Sequence, residues 1–122
     1  MLSHRLLLKS GYISQLSAGI FSFTPMGWRV IGNIKKIIDD EMEKIKCFES
    51  NLPVIQPSDI WKQSGRIDSF IPPLATFLDR RDKKMIIAPT HEEAVIDLVK
   101  NYLRSFRDLP FSVYHIQTKF RD

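Results

Sequence analysis

The feature that most constrains this chain is a long amphipathic pattern between Gly27 and Lys46. Its apolar residues recur at intervals of three or four: Trp28, Ile31, Ile34, Ile38, Met42 and Ile45. Charged side chains such as Lys36 and Glu43 occupy the opposite side of the helical wheel. A period near 3.6 residues is typical of a helix that packs through one apolar face. The sequence therefore predicts a helix over 27–46 that packs on a sheet through Ile31, Ile34, Ile38 and Met42.

Shorter elements are predicted before this helix. Ser3 is placed to cap a short helix that runs to Leu8 and is ended by Gly11, because glycine adopts the left-handed conformation that closes helices. A second turn or short helix is predicted over 14–18. The apolar run over 20–23 then predicts a short strand that leads into the long helix.

Alternation and turn residues organise the next part of the chain. Residues 48–52 alternate as a strand that ends at Pro53, and Ser58 is placed to cap a short helix. A charged turn separates two apolar runs, 75–78 and 85–88, which predicts a hairpin with an exposed tip.

The last two predicted elements are a helix and a long strand. Thr90 and Glu93 stand at the spacing of a capping box ahead of an apolar helical pattern. Residues 111–121 alternate over an unusual length, which predicts one strand. Together the elements predict an α+β fold, a mostly antiparallel sheet with flanking helices, in one domain over 1–122.

The composition excludes a disordered chain, a collagen and a coiled coil. The chain has 43% hydrophobic and 26% charged residues, as globular domains do, and 18 basic against 14 acidic residues give a net charge of +4. This modest excess suits contact with phosphates without requiring it. The single cysteine, Cys47, and the scattered His4, His91 and His115 favour a reducing compartment and no structural zinc. Neither a membrane span nor a secretion signal is visible, so the cytoplasm is predicted.

No glycine-rich phosphate loop is present, and two other places are candidates for a binding site. At the first, Thr90 and Glu92 lie where a strand gives way to a helix, so a hydroxyl, a carboxylate and free helix N–H groups converge. Such a place can hold an amine. Taken alone, Thr90 is better explained as a helix cap and Glu92 as a complement to the helix dipole.

The second candidate is Arg121, which shares a strand face with His115, Gln117 and Lys119. A row of polar side chains is costly to bury unless water or a ligand meets it. In isolation this row is better explained as a solvated strand face.

Several segments, in their order along the chain, resemble the catalytic core of class II aminoacyl-tRNA synthetases, and most closely the bacterial-type prolyl-tRNA synthetases. The segments are Ser3-His4-Arg5-Leu6, Ala18-Gly19-Ile20, Pro25-Met26-Gly27, 52–57 (LPVIQP), 60–66 (IWKQSGR), 88–93 (APTHEE) and 116–122 (IQTKFRD). Any one of them is a weak signal, whereas their joint occurrence over almost the whole chain is specific.

The resemblance implies roles for individual residues. The helix from Gly27 and the strand ending at Pro53 correspond to motif 1, which forms the homodimer interface in relatives. Motif 2 begins at Phe120-Arg121-Asp122, where the arginine contacts the α-phosphate of ATP and the reacting carboxylate. Thr90 and Glu92 match the loop that holds the amine of the amino acid.

The resemblance also implies what the whole enzyme does and needs. It would be a proline–tRNA ligase that uses ATP, with Mg²⁺ as the usual companion ion, to activate proline and transfer it to tRNA(Pro). The glutamate expected after Asp122, the rest of motif 2 and the motif 3 arginine lie outside these 122 residues. The chain alone is therefore expected to be inactive, and it holds no predicted metal site.

Three alternatives remain open at this point. The first is another class II synthetase such as the threonyl enzyme, although its zinc ligands have no counterpart here. The second is a synthetase-like module that dimerises or assembles without catalysis. The third is a basic nucleic-acid-binding domain, which the modest charge weakens.

Overall fold

The computed structural model describes residues 2–121, so Asp122, the last residue of the predicted motif 2 segment, lies outside the described residues. Contacts divide the chain into two compact units, of which the first ends at Lys46 and the second begins at Cys47. No helix within residues 2–121 is both long enough and apolar enough to cross a membrane.

The first unit contains two helices and one hairpin. Its elements are α1 (Leu2–Lys9), β1 (Ile13–Ser17), β2 (Ile20–Phe23) and α2 (Pro25–Lys44). Strands β1 and β2 pair antiparallel around a turn at Gly19, whose φ is +75°. The predicted helix α1 is present, but Ser3 lies inside it and does not cap it. The predicted strand over 20–23 is confirmed, whereas the predicted turn or helix over 14–18 is wrong. Its polar sequence shows no clear period, and pairing with β2 decides its conformation.

Helix α2 begins two residues before the predicted start, because the chain ahead of it supplies a cap. The Thr24 hydroxyl oxygen accepts the N–H of Gly27 at 3.2 Å and the hydroxyl donates to the Gly11 carbonyl at 2.7 Å. Pro25 occupies the first turn, where its missing N–H is not needed. A Cβ at Gly27 would lie 2.0 Å from the carbonyl oxygen of Tyr12, so this close approach requires glycine.

The predicted helix itself is confirmed, but the burial of its apolar face is not as predicted. Ile34 and Ile38 are 49% and 41% exposed, and Ile31 and Met42 are half-buried. The period of a sequence shows which side of a helix is apolar and does not show what covers it.

The second unit is built around a three-stranded antiparallel sheet. Its elements are β3 (Phe48–Glu49), β4 (Ile55–Pro57), α3 (Ser58–Gln63), β5 (Thr76–Leu78), β6 (Lys84–Ile87), α4 (Glu92–Tyr102), a 3₁₀ turn (Phe106–Asp108) and β7 (Val113–Tyr114). Strand β6 lies in the centre, and its Ile86 faces Gln56 of β4 on one side and Thr76 of β5 on the other. The hairpin and the α+β fold are confirmed, and β4 is a strand that the sequence did not reveal.

The core of this unit lies where α3 meets the sheet. Trp61 and Ile86 are fully buried. The Trp61 indole N–H donates to the side-chain oxygen of buried Gln56 at 2.8 Å, and its ring meets Phe70 edge-on at 5.7 Å between centroids. The polar ends of both buried side chains are thereby satisfied. Ser58 is the first residue of α3, and the predicted cap is wrong because Pro57 holds the capping position.

The single strand predicted over 111–121 is wrong for most of its length. Only Val113–Tyr114 forms a strand, and it pairs parallel with β3. A strand needs a neighbouring backbone, and after Tyr114 a side chain takes that place: the Gln117 amide donates to the Leu52 carbonyl and to Asn51. Strand β3 is correspondingly shorter than the predicted run over 48–52.

Candidate active site

The candidate site lies where β6 gives way to α4, at residues 88–93. Ala88 is fully buried there, and its N–H donates to the Val54 carbonyl at 2.8 Å. The C-terminal end of the described chain passes alongside, because the N–H of Phe120 donates to the Ala88 carbonyl at 3.0 Å. Arg121 follows at once, and its Nε donates to the Pro89 carbonyl at 3.0 Å. The fold therefore brings Arg121 next to the segment that holds Thr90.

Thr90 and Glu92 face one another across this junction. Thr90 is buried, and its side chain lies close enough to the Glu92 carboxylate to help lower the pKa of that group. Hydrogen bonds from Arg66, chiefly, and from Thr90 hold the pKa of Glu92 below its ordinary value, although partial burial opposes them. The Glu92 side chain is 62% exposed, so an ionised carboxylate is presented to solvent or to a ligand.

The predicted capping box of α4 is wrong. His91 holds the capping position without a side-chain cap bond, and Thr90 lies one residue earlier. Glu93 does not reach back to Thr90, because its carboxylate Oε1 accepts the Ser64 hydroxyl at 3.2 Å and an Arg66 N–H at 3.0 Å. Glu93 therefore bonds residues that are distant in the sequence and not the start of its own helix.

Arg66 is a residue of this site that sequence reasoning missed. Its Nη1 donates to Oε2 of Glu92 at 2.8 Å and to Oε1 of Glu93 at 3.0 Å. Both carboxylates raise the pKa of Arg66, with the Glu92 hydrogen bond as the largest cause. The adjacent glutamates at 92 and 93 were the only hint in the sequence, and the need for a nearby cation follows only from the burial of Glu93, which is 4% exposed.

Two aromatic rings also lie near the Arg66 guanidinium. The guanidinium carbon lies 5.8 Å from the ring centroid of Trp61 and 5.4 Å from that of Phe70. Cations are attracted to ring faces at these distances. The guanidinium is thus fixed by two rings and two carboxylates, all within the second unit.

Arg121 is exposed and borders a cavity of about 200 Å³. Its terminal nitrogens donate to no residue within 2–121, so they are available to an anionic ligand. Apolar residues and one loop form most of the wall, which is lined by Phe70, Ile71, Pro72, Pro73, Leu74, Ala75, Ile87, Pro89 and Phe120. An apolar cavity with one cationic group at its wall is a common form of ligand site.

The polar row predicted around Arg121 is divided among several partners. Gln117 contacts Leu52, whereas His115 meets His91 with 5.1 Å between ring centroids. Both nitrogens of the fully buried His91 lack hydrogen-bond partners among the described residues. Burial, then the charges of His115 and Lys119, lower the pKa of His91, and burial with Lys119 lowers that of His115.

We expect acid to destabilise the folded chain through this histidine pair. Because the pKa of each is lower when folded, the unfolded state binds protons first as the pH falls. The contribution of this pair to the free energy of unfolding is therefore fully present above about pH 6.5 and decreases as the pH falls below that value. Urea unfolding at about pH 7.5 and about pH 5, where the carboxylates stay ionised, measures the loss. The loss should shrink in His91→Gln and persist in the control His4→Gln; an equal loss in both would contradict this assignment.

The remaining predicted residues are placed as follows. Pro53 is exposed, and its carbonyl accepts the side-chain amide of Gln56 at 3.3 Å. Cys47 is buried and has a free thiol. Residues 2–121 contain no group of three histidine, cysteine or acidic side chains able to hold a metal ion.

Comparison with known proteins points to one group of enzymes. The chain is 51% identical over 121 residues to the proline–tRNA ligase of Dehalococcoides mccartyi, 48% identical over 122 residues to that of Buchnera aphidicola and 46% identical over 122 residues to that of Solidesulfovibrio magneticus. These alignments cover 99 to 100% of the chain and 21% of each relative, so the chain spans about a fifth of their length. No protein-family model matches the chain. The predicted resemblance to prolyl-tRNA synthetases is confirmed.

Solved structures support the same fold. A prolyl-tRNA synthetase of Giardia lamblia, determined with prolyl-adenylate, matches 97% of the chain and 25% of its own length, with a TM-score of 0.82 at 20% identity. The RNA-binding domain of threonyl-tRNA synthetase from Cryptosporidium parvum matches 92% of the chain and 29% of its own length, with a TM-score of 0.80 at 25% identity. The predicted similarity to class II synthetase domains is thereby confirmed for the fold.

Proposed function

We propose that the protein carrying this chain is a proline–tRNA ligase and that the chain forms part of its catalytic domain. The observation that carries the proposal is the bond from Arg121 Nε to the Pro89 carbonyl. It supports the proposal because Arg121, the cation proposed to meet the α-phosphate, then lies beside the segment that carries Thr90 and Glu92, the pair proposed to meet the amine. A site for amino-acid activation needs both groups within the length of one small substrate.

The proposed reaction has two steps. A carboxylate oxygen of proline attacks the α-phosphorus of ATP, pyrophosphate leaves, and prolyl-adenylate forms. A terminal hydroxyl of tRNA(Pro) then attacks the prolyl carbonyl carbon, and AMP leaves. Both steps depend on positioning and charge stabilisation, so no side-chain nucleophile is required.

Glu92 and Thr90 are proposed to hold the amine of proline. The ring nitrogen of proline is a secondary ammonium with two N–H donors. The Glu92 carboxylate and the Thr90 hydroxyl oxygen supply two acceptors, and the lowered pKa of Glu92 keeps its charge at neutral pH. The two N–H donors of the proline ammonium would thus meet the Glu92 carboxylate and the Thr90 hydroxyl oxygen beside it.

Arg121 is proposed as the catalytic residue, in contact with both the proline carboxylate and the α-phosphate. A planar guanidinium bridges two oxyanions through separate N–H groups. It would stabilise the negative charge that gathers on the α-phosphate during attack. Mg²⁺ accompanies ATP in enzymes of this kind and is held there largely by the phosphates themselves.

A homodimer is proposed to form through the motif 1 segments, which include α2 and Pro53. Exposed apolar side chains on α2 support this: Trp28, Ile34, Ile37 and Ile38. Exposed apolar patches of this kind mark interaction surfaces. Since tRNA is the second substrate, the cytoplasm is the proposed compartment.

We expect the full-length protein to exchange pyrophosphate into ATP only when proline is present, and to sediment as a dimer. Exchange that depends on threonine would instead favour a threonyl enzyme. A dimer without exchange on any amino acid would indicate an assembly module, and binding of RNA alone would indicate a nucleic-acid-binding protein. A monomer at every concentration would contradict the proposed interface.

A further inference from the structure

We infer that Arg66 is a positioning residue for the amine of proline, and that it acts through Glu92. The inference rests on the proposed function. Arg66 lies between the two glutamates that open α4, and one of its nitrogens, Nη1, contacts both of them. It would hold the carboxylate of Glu92 in the orientation that the substrate amine meets.

The contacts around Arg66 explain how it fixes the orientation of the Glu92 carboxylate. Glu93 is buried, and its side chain is 2% exposed, so the carboxylate that anchors one side of the guanidinium is fixed by the core. The ring centroids of Trp61 and Phe70 lie within 6 Å of the guanidinium carbon. Glu92 is the partner with freedom to move, because its side chain is 62% exposed. Arg66 therefore limits the conformations of Glu92 rather than the reverse.

The net charge of the cluster formed by Arg66, Glu92 and Glu93 suits a ligand that carries one positive charge. Glu92 and Glu93 contribute two negative charges and Arg66 contributes one positive charge, so the cluster carries a net charge of about −1. Without Arg66, the two carboxylates would repel each other, and Glu93 would be buried without a cation. With Arg66, Glu93 is neutralised and one negative charge remains for the substrate ammonium.

The geometry requires arginine rather than any basic residue. A lysine ammonium is a compact point charge, whereas a guanidinium is planar and can stack on rings while it donates in its plane. Arg66 uses both properties, because it contacts two rings and two carboxylates at once. Lysine at this position would keep the charge and lose the orientation.

A double-mutant cycle in the full-length protein distinguishes positioning through Glu92 from a purely structural role. Proline KM is measured by ATP–pyrophosphate exchange for wild type, Arg66→Gln, Glu92→Gln and the double variant. We expect Arg66→Gln to raise proline KM about tenfold or more, to leave ATP KM within about twofold, and to add less than about threefold in the Glu92→Gln background. Arg66→Lys should recover part of the loss. Arg81→Gln, at the exposed hairpin tip, is the matched control and should have no effect.

The outcomes separate this inference from the proposed function. An equal KM penalty for Arg66→Gln in both backgrounds would overturn the inference and leave the function intact, because Arg66 would then act independently of Glu92. Absence of proline-dependent exchange in wild type would overturn both. If thermal unfolding shows that Arg66→Gln does not fold, the same cycle is run with Arg66→Lys, with coupling to Glu92 again required.

Discussion

Replacing Arg121 with alanine in the full-length protein is expected to lower the kcat of proline-dependent ATP–pyrophosphate exchange by roughly 10²–10³-fold. The guanidinium lies beside Pro89 with terminal nitrogens available to a ligand. Its charge matters most when negative charge concentrates on the α-phosphate, so the loss should appear in the rate. Proline KM should change by no more than about threefold, since a ground-state contact is worth less than a transition-state one. Steady-state exchange at saturating ATP measures both quantities.

Two further variants make the Arg121 result interpretable. Arg121→Lys keeps a charge without the planar fork and should be intermediate, whereas Arg80→Ala at the hairpin tip should match wild type. The bond from Arg121 to the Pro89 carbonyl contributes about 1 kcal/mol to stability, so thermal unfolding should shift little. If the loss of rate in Arg121→Ala were small and equal to that in Arg80→Ala, Arg121 would be a solvated side chain without a catalytic role.

Replacing Glu92 with alanine should instead impair recognition of proline. We expect proline KM to rise about a hundredfold or more, because a desolvated ammonium would lose its charged partner. ATP KM should stay within about twofold, since Glu92 is assigned to the amine alone. The fold should persist, because Arg66 retains its bond to buried Glu93 at 3.0 Å. Exchange kinetics with proline and ATP varied separately measure the two constants.

The conservative variant separates charge from shape at Glu92. Glu92→Gln keeps an acceptor oxygen and loses the charge, so its KM should lie between those of wild type and Glu92→Ala. Glu43→Ala removes an exposed glutamate of α2 and is the matched control. If Glu92→Ala raised the KM for ATP and for proline equally, Glu92 would not be specific to the amine, and its role as a helix-dipole complement would suffice.

Elements with a strong local pattern were predicted well. Helix α2, strand β2 and the β5–β6 hairpin were predicted because their periods and turn residues lie within a few positions of one another. Even there the ends of the elements differed from the prediction. Thr24 caps α2 by accepting the N–H of Gly27, and its hydroxyl in turn donates to the distant carbonyl of Gly11. Strand β1 was missed because its polar sequence has no period of its own.

The site was predicted in part. Thr90, Glu92 and Arg121 were named from the resemblance, and the fold brings them to one junction. Arg66 was read only as part of a matching segment, because nothing in its neighbours shows that it pairs with residues 26 and 27 positions further along. The capping box of Thr90 and Glu93 was predicted from spacing and is absent, since buried Glu93 takes Ser64 and Arg66 instead.

The sequence by itself determined the existence of the long helices α2 and α4, which apolar face α2 carries and which family the motifs resemble. These properties depend on residues within one or two turns of each other, or on residue identity alone. Only the tertiary structure decided the partners: Arg66 with Glu92, Arg121 with a carbonyl 32 positions away, and Gln117 with one 65 positions away. Hydrogen bonds and ion pairs act over a few ångströms, so they form only after packing has brought distant segments together, and no local pattern contains that information.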